Sequence, residues 1–325
     1  MKAATRHPAP AIRRLVVVVA VVAVGACGGP PPGPTVASPP SPVATPTASG
    51  AATPGSDSLG DAPAIVLRVP LATGFGWELL EAGAPERRVP LRPPSREAEL
   101  GPATADGRIL MTADGQVVVA TVDGDSLTPL GAWPMPAGST LAPACFDDHG
   151  RPILADTETL ALVMLTASGF EPLAAMTTAL GECAVLADGR TLVSVEGGQL
   201  AAIDDDAAIA PIIGTLGRHL SAGGGLVAMT DPSSELGQVV VRHGTVTADG
   251  ALGAEVGRVQ GRGAERVVNA QLSPDGGWLA VSLERQGAAG VEGRLRLFLV
   301  DGEALTEVDD VPVAIGTRSA VLPGR

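Results

Sequence analysis

The feature that most constrains the fold of this chain is a glycine-containing turn that recurs between short apolar runs. From about residue 64 onward, runs rich in Val, Leu and Ile alternate with turns that contain Asp and Gly. Such runs are typical of strands, and the body shows no sustained helical period with caps. Successive turns are 43, 39, 35 and 52 residues apart, as marked by Gly107, Gly150, Gly189, Gly224 and Gly276. The sequence therefore predicts an all-β body made of repeats.

The clearest repeat spans residues 267–308. Its first two apolar runs are separated by Ser273-Pro274-Asp275-Gly276, in which proline pre-sets φ and Asp and Gly suit the positions that follow. The third run alternates polar and apolar residues, as a half-buried strand does. We predict four strands here: Val267–Leu272, Trp278–Ser282, Arg294–Val300 and Ala304–Val308.

This four-stranded unit resembles one blade of a β-propeller of the WD40-like or TolB-like kind, although the chain lacks a Trp-Asp dipeptide. The five turns then imply five blades, and Ala64–Val69 and Trp77–Leu80 supply strands of a sixth. Thr317–Leu322 would complete that sixth blade from the other end of the chain, which protects the edge strands. The prediction is a six-bladed β-propeller over residues 64–325. Five or seven blades, or a β-sandwich, remain alternatives.

The N-terminal segment has the features of a secretory signal peptide. A basic leader precedes the apolar stretch Leu15–Ala23, which is about half the length that a membrane-spanning helix needs. The stretch ends in Val24-Gly25-Ala26-Cys27, which resembles the lipobox of bacterial lipoproteins. The resemblance implies removal of residues 1–26 and lipidation of Cys27. Ordinary secretion without a lipid is the alternative.

Residues 27–63 are predicted to form a disordered linker after the lipidated cysteine. They are rich in Pro, Ala, Ser and Thr and contain almost no large apolar side chains. Such a segment cannot bury enough surface to offset the entropy of ordering, and its prolines favour an extended chain. We expect it to act as a spacer between the membrane and the body.

The charge of the chain excludes some classes of partner. The formal net charge is −13 at pH 7, and the only lysine lies in the predicted signal peptide. An acidic body is not attracted to the phosphates of nucleic acids or to anionic lipid. Nucleic-acid binding is therefore not expected, and the lipid on Cys27 is the predicted contact with the membrane.

Two further cysteines, Cys145 and Cys183, form a possible disulfide. Each lies a few residues before a turn glycine, so the two hold similar positions in adjacent repeats. In an extracytoplasmic compartment such a pair can persist as a disulfide. Two buried free thiols are the alternative.

No catalytic or cofactor motif emerges from the sequence. The histidines of the body, His149, His219 and His243, are expected on different repeats and lack metal-ligand spacing. Acidic groups at Asp123–Asp125 and Asp204–Asp206 match no calcium loop and indicate solvated turns. Gly223–Gly225 likewise indicates a turn and not a phosphate cradle, because no lysine or helix follows. We therefore expect no metal and no cofactor.

These observations favour a lipid-anchored, extracytoplasmic propeller that binds a protein or small ligand without catalysis. The partner would be an envelope protein or a small molecule, and the anchoring membrane would be the cell membrane or an outer membrane. The alternative is an enzyme, a hydrolase or lyase, with its site at the mouth of the channel. That alternative needs carboxylates or histidines that converge from several blades.

Overall fold

The computed structural model describes residues 62–159, 161–175, 183–204, 206–287 and 290–324. These residues form an all-β structure with a single short 3-10 turn, as predicted. The predicted signal peptide, the lipidation site Cys27 and the predicted linker up to residue 61 lie outside the described residues.

In the described ranges, twenty-four strands form six four-stranded antiparallel sheets, which are the six predicted blades. Blade 1 contains β4 (Glu99–Ala103), β5 (Ile109–Ala113), β6 (Gln116–Asp123) and β7 (Ser126–Pro134). Blade 2 contains β8 (Leu141–Phe146), β9 (Pro152–Asp156), β10 (Ala161–Thr166) and β11 (Gly169–Ala175). Blade 3 contains β12 (Cys183–Val185), β13 (Thr191–Ser194), β14 (Gln199–Ile203) and β15 (Ile209–Leu216).

The remaining blades include the one identified most clearly from the sequence. Blade 4 contains β16 (Arg218–Gly223), β17 (Leu226–Asp231), β18 (Gln238–His243) and β19 (Glu255–Gln260). Blade 5 contains β20 (Glu265–Leu272), β21 (Trp278–Gly287), β22 (Gly290–Asp301) and β23 (Ala304–Val313). Blade 6 contains β24 (Arg318–Gly324), β1 (Pro63–Pro70), β2 (Phe75–Glu81) and β3 (Ala84–Pro90).

Blade 6 is assembled from both ends of the body. The last strand, β24, pairs antiparallel with the first strand, β1, and the pairing runs from Pro63 opposite Gly324 to Arg68 opposite Arg318. The predicted closure is therefore confirmed. The closure makes β1 an interior strand of blade 6, with β24 on one side and β2 on the other.

The core lies between neighbouring blades, because each sheet packs on another sheet on both faces. Strands β5 and β13 are buried along their whole length, which explains their apolar runs without alternation. The outermost strand of a blade has one free edge and is far more exposed, as in β7 and β15.

The five marker glycines all lie in the turn between the first and second strands of blades 1–5, with φ between 55° and 87°. At Gly223 and Gly224 the next blade also lies so close that a side chain would not fit. A Cβ on Gly223 would lie 1.9 Å from the carbonyl oxygen of Ser273, and the amide of Gly224 donates to the carbonyl of Pro274. These glycines therefore fit the Ser273–Gly276 turn of blade 5, and the prediction of a turn is confirmed.

One polar pair interrupts the apolar core of blade 5. The alternation in β22 predicted solvent-facing arginines, yet the side chain of Arg296 is only 2% exposed and pairs with Glu265, which is 4% exposed. The amide of Arg262 also donates to the Glu265 carboxylate, and Asp310 lies 3.3 Å from Nε of Arg296. These partners compensate the removal of two charges from water.

Candidate functional site

The candidate site is the central channel, a cavity of about 800 Å³. This volume lies within the range of roughly 300–1,000 Å³ that is usual for ligand sites. The innermost strands of all six blades contribute to its wall, and several of the strand residues that line it have small side chains. Among these are Gly101, Ala103, Ala142, Pro143, Ala184 and Ala222. Because such side chains do not fill the centre of the ring, the channel stays open.

The disulfide lies in this wall. Cys145 on β8 and Cys183 on β12 are bonded, with their Cα atoms 5.4 Å apart, and both residues are buried. The two strands are the innermost strands of adjacent blades. The bond therefore fastens blade 2 to blade 3 beside the channel.

One side of the channel presents neutral polar groups from blades 4 and 5. The Ser221 hydroxyl on β16 accepts a hydrogen bond of 3.0 Å from the amide of Leu272 on β20, which joins the two blades. Asn269 and Gln271 line the cavity on the same strand, β20, two residues apart. Residues two apart on a strand share a face, so both amide side chains face the channel. Together these groups offer hydrogen-bond donors and acceptors without net charge.

At one mouth of the channel, the turns that follow the innermost strands carry several carboxylates. The Thr104 hydroxyl and the Arg108 guanidinium, 2.8 Å away, hold the pKa of Asp106 below its usual value. In blade 2, Asp147 accepts hydrogen bonds from the amides of His149 and Arg151. These carboxylates are used to build the turns.

The next blade repeats this arrangement. The Arg190 guanidinium lowers the pKa of Asp188 and lies 2.6 Å from its carboxylate. A general acid at neutral pH needs a raised carboxyl pKa. The lowered pKa values of Asp106 and Asp188 therefore suit a structural role.

The other mouth has a different composition. Glu99 and Arg318 stand at the first residues of β4 and β24 and line the cavity. Behind Arg318, in the paired position on β1, lies Arg68, whose residue is 8% exposed. The guanidinium carbon of Arg68 is 3.3 Å from the centroid of the Phe75 ring. Burial lowers the pKa of Arg68, the nearby Glu99 opposes that effect, and Arg318 adds to it.

Few features of the sequence predict the residues at this second mouth. Arg68 is the one charged residue in the apolar strand Pro63–Pro70, and that is the signal that could have singled it out. Arg318 is 250 positions from Arg68 in the sequence, and only the register of blade 6 makes them neighbours, whereas Trp77 lies on the adjacent strand of the same hairpin.

The histidines and acidic groups considered from the sequence do not converge. His219 and His243 lie on β16 and β18 of one blade, so the expectation of different repeats is wrong for this pair. The reason is that the marker glycine follows the first strand of a blade, which places both histidines in blade 4. His149 lies in an exposed turn of blade 2. Within the described residues, no group of three or more His, Cys, Asp or Glu side chains is placed to hold a metal ion.

The acidic segments form turns. Asp204 accepts hydrogen bonds from the amides of Asp206 and Ala208, while Asp205 lies outside the described residues. Asp125 forms an exposed ion pair with Arg92 at 3.1 Å.

Of the described helical segments, none has the length and apolar character to cross a bilayer.

Comparison with known proteins identifies the fold and goes no further. No family model matches the chain. No curated protein matches it either. Among solved structures, a protein of unknown function from Bacteroides caccae is 16% identical, with a TM-score of 0.52 over 81% of this chain and 99% of that one.

Two other similar structures have scores below 0.5. A protein assigned as TolB from Agrobacterium tumefaciens is 12% identical, with a TM-score of 0.48 over 78% of this chain and 92% of that one. Virginiamycin B lyase from Staphylococcus aureus is 10% identical, with a TM-score of 0.43 over 76% of this chain and 94% of that one. One fold can carry many unrelated functions, so the fold does not decide what this chain does. The chain is an all-β, six-bladed β-propeller with structural similarity to these proteins.

Proposed function

We propose that this chain is an extracytoplasmic lipoprotein whose propeller binds a protein segment or small ligand in its central channel without catalysis. The observation that carries the proposal is the channel wall, which combines small side chains with the neutral polar groups of Ser221, Asn269 and Gln271. A wall of this kind holds a ligand by shape and hydrogen bonds. Two of the turn carboxylates beside it, those of Asp106 and Asp147, accept hydrogen bonds from within their own turns.

The disulfide supports the proposal that the propeller lies outside the cytoplasm. A buried disulfide between Cys145 and Cys183 is typical of proteins outside the reducing cytoplasm. It agrees with the predicted signal peptide and with lipidation at Cys27. The chain enters the propeller at Pro63, opposite Gly324 and therefore at the end of blade 6 where β24 finishes. The spacer thus joins the ring on the side of the turn carboxylates.

Photo-crosslinking tests the channel as the binding site. A photoreactive amino acid at Gln271, in the channel, should yield adducts in intact cells. The same group at Glu86, exposed on the outer strand β3, is the matched control and should yield none. Adducts from Glu86 alone, or from neither position, would reject the channel. Conversion of the captured molecule by the purified protein would instead favour the hydrolase or lyase.

Membrane fractionation tests the anchor. The Cys27→Ser variant should leave the detergent phase and appear in the soluble extracytoplasmic fraction with its propeller intact. The double variant Cys145→Ala/Cys183→Ala is the control for loss of cysteine elsewhere and should remain with the membrane. Retention of Cys27→Ser in the membrane fraction would refute lipid anchoring.

A further inference from the structure

A row of three donor side chains crosses blade 6 at the mouth formed by Glu99 and Arg318. Arg68 on β1 is paired with Arg318 on β24 and with Trp77 on β2. Side chains of directly paired residues lie on the same face of a sheet, with Cβ atoms about 4.5–5.5 Å apart. The three side chains therefore form one continuous row that runs from the channel into the ring.

The two inner members of this row are buried donors without acceptors. Among the described residues, neither Nε of Arg68 nor Nε1 of Trp77 has a hydrogen-bond partner. The residues are 8% and 4% exposed. A buried donor without a partner is costly, and for a charged guanidinium the cost is larger. Where the protein supplies no acceptor, such a donor is satisfied by a water molecule, an ion or a ligand.

The charges around Arg68 define what the acceptor must be. The positive charge of Arg318 adds to that of Arg68, while Glu99 and Glu97 act on Arg68 from a distance. In the described part of the chain neither glutamate forms an ion pair with it. The Phe75 ring covers one face of the guanidinium, so an acceptor has to approach Arg68 at the edge of the guanidinium. A planar group with two oxygens and one negative charge fits this edge.

We infer that the row Arg318–Arg68–Trp77 is a carboxylate-binding subsite at this mouth of the channel. Arg68 binds the carboxylate through its guanidinium edge, Trp77 donates its indole N–H, and Arg318 supplies the second positive charge from the channel side. The inference rests on the proposed channel function and narrows it to ligands that bear a carboxylate. Free organic acids and the C-terminus of a peptide both offer this group.

The three tryptophans of the chain provide a direct assay. Trp77, Trp133 and Trp278 give three indole signals in a 15N-labelled sample of the full chain carrying Cys27→Ser, and Trp77→Phe assigns the signal of interest. Sodium acetate and N-acetylglycine are titrated at constant ionic strength against sodium chloride and acetamide. We expect a saturable shift of the Trp77 signal with both carboxylates. Tighter binding of N-acetylglycine would identify a peptide terminus as the source, and equal or tighter binding of acetate a free acid.

Variants separate the subsite from general effects. Arg68→Met should weaken acetate binding by at least about tenfold, as expected for loss of a charged hydrogen bond. Because Arg68 is buried, exposed Arg318→Met is the second variant and should weaken binding without disturbing the fold. Arg87→Met, on the exposed outer strand of the same blade, is the matched control and should bind as the parent does.

The subsite is refuted if the Trp77 signal does not respond saturably to either carboxylate. It is also refuted if chloride or acetamide produces the same shift, or if Arg318→Met binds acetate as tightly as Arg87→Met does. If acetate does not bind but Gln271 still forms adducts, the carboxylate site is rejected and the proposed channel function is retained. Acetate binding without adducts from Gln271 would reject the channel function and retain the carboxylate site.

Discussion

Loss of the disulfide between Cys145 and Cys183 should lower the free energy of unfolding by about 4 kcal/mol. The bond joins residues separated by 38 positions in the chain. In the chain-entropy estimate, a cross-link that closes 15 residues contributes about 3 kcal/mol and one that closes 100 contributes about 4.7 kcal/mol, because it restricts the unfolded chain. The present loop falls between these values.

The free energy of the folded state changes little when the disulfide is reduced. Both cysteines lie on innermost strands whose backbones are hydrogen-bonded within their own blades. Reduction therefore leaves two buried thiols in place and removes only the covalent link between β8 and β12. Substitution by alanine additionally removes two buried sulfur atoms, so the double variant should be less stable than the reduced protein.

Urea unfolding followed by tryptophan fluorescence measures the difference. The parent is the full chain carrying Cys27→Ser, which leaves Cys145 and Cys183 as its only cysteines. Oxidised parent, reduced parent and Cys145→Ala/Cys183→Ala are compared, and the double variant should not respond to reductant. A difference below about 1 kcal/mol between oxidised and reduced parent would refute the loop-entropy argument.

Three further predictions concern the fold. Arg296→Met should destabilise the propeller by about 3–5 kcal/mol in urea unfolding, because it leaves the Glu265 carboxylate buried without its cation; combining it with Glu265→Leu should recover much of that loss. Gly224→Ala should cost more than Gly107→Ala in thermal unfolding, because both have positive φ but only the Cβ at 224 meets a backbone oxygen at 2.1 Å. Asp106 has a lowered native pKa, so its share of the stability is present above the unfolded pKa of about 3.9. The free energies of unfolding of the parent and of Asp106→Asn should therefore become equal as the pH falls through the native pKa. A difference in stability that stays constant with pH would contradict this.

The architecture could be predicted from the sequence because its signals are local and repeated. Each turn glycine marks the same point of a blade, and the Ser273–Gly276 turn specifies its two flanking strands by φ restriction and side-chain hydrogen bonds. The Ser273 hydroxyl accepts from the amide of Trp278, which closes the turn within six residues. Closure of the ring could be predicted because the strands at the two ends of the body did not belong to any of the five marked blades and together make up a sixth.

The polar interior could not be predicted in the same way. Arg296 and Glu265 are 31 positions apart, and the alternating pattern of β22 favours an exposed arginine. β21 lies between β20 and β22, and only the folded blade brings the two side chains together across it. Arg68 and Arg318 are separated by almost the whole body, and only the register of the closing strands makes them neighbours. Side-chain pairs of this kind depend on tertiary packing that no local pattern contains.

Ring closure and the carboxylate subsite depend on the same pair of strands. β1 enters from the predicted spacer at Pro63, and β24 ends the body, so any pull on the spacer acts on the β1–β24 pairing. Arg68 and Arg318 belong to opposite strands of that pairing. A carboxylate bound to both would link the two strands through charged hydrogen bonds, in addition to the backbone ladder. Because a ligand that binds only the closed ring stabilises it by mass action, occupancy of the channel mouth and resistance of the ring to opening are thermodynamically coupled.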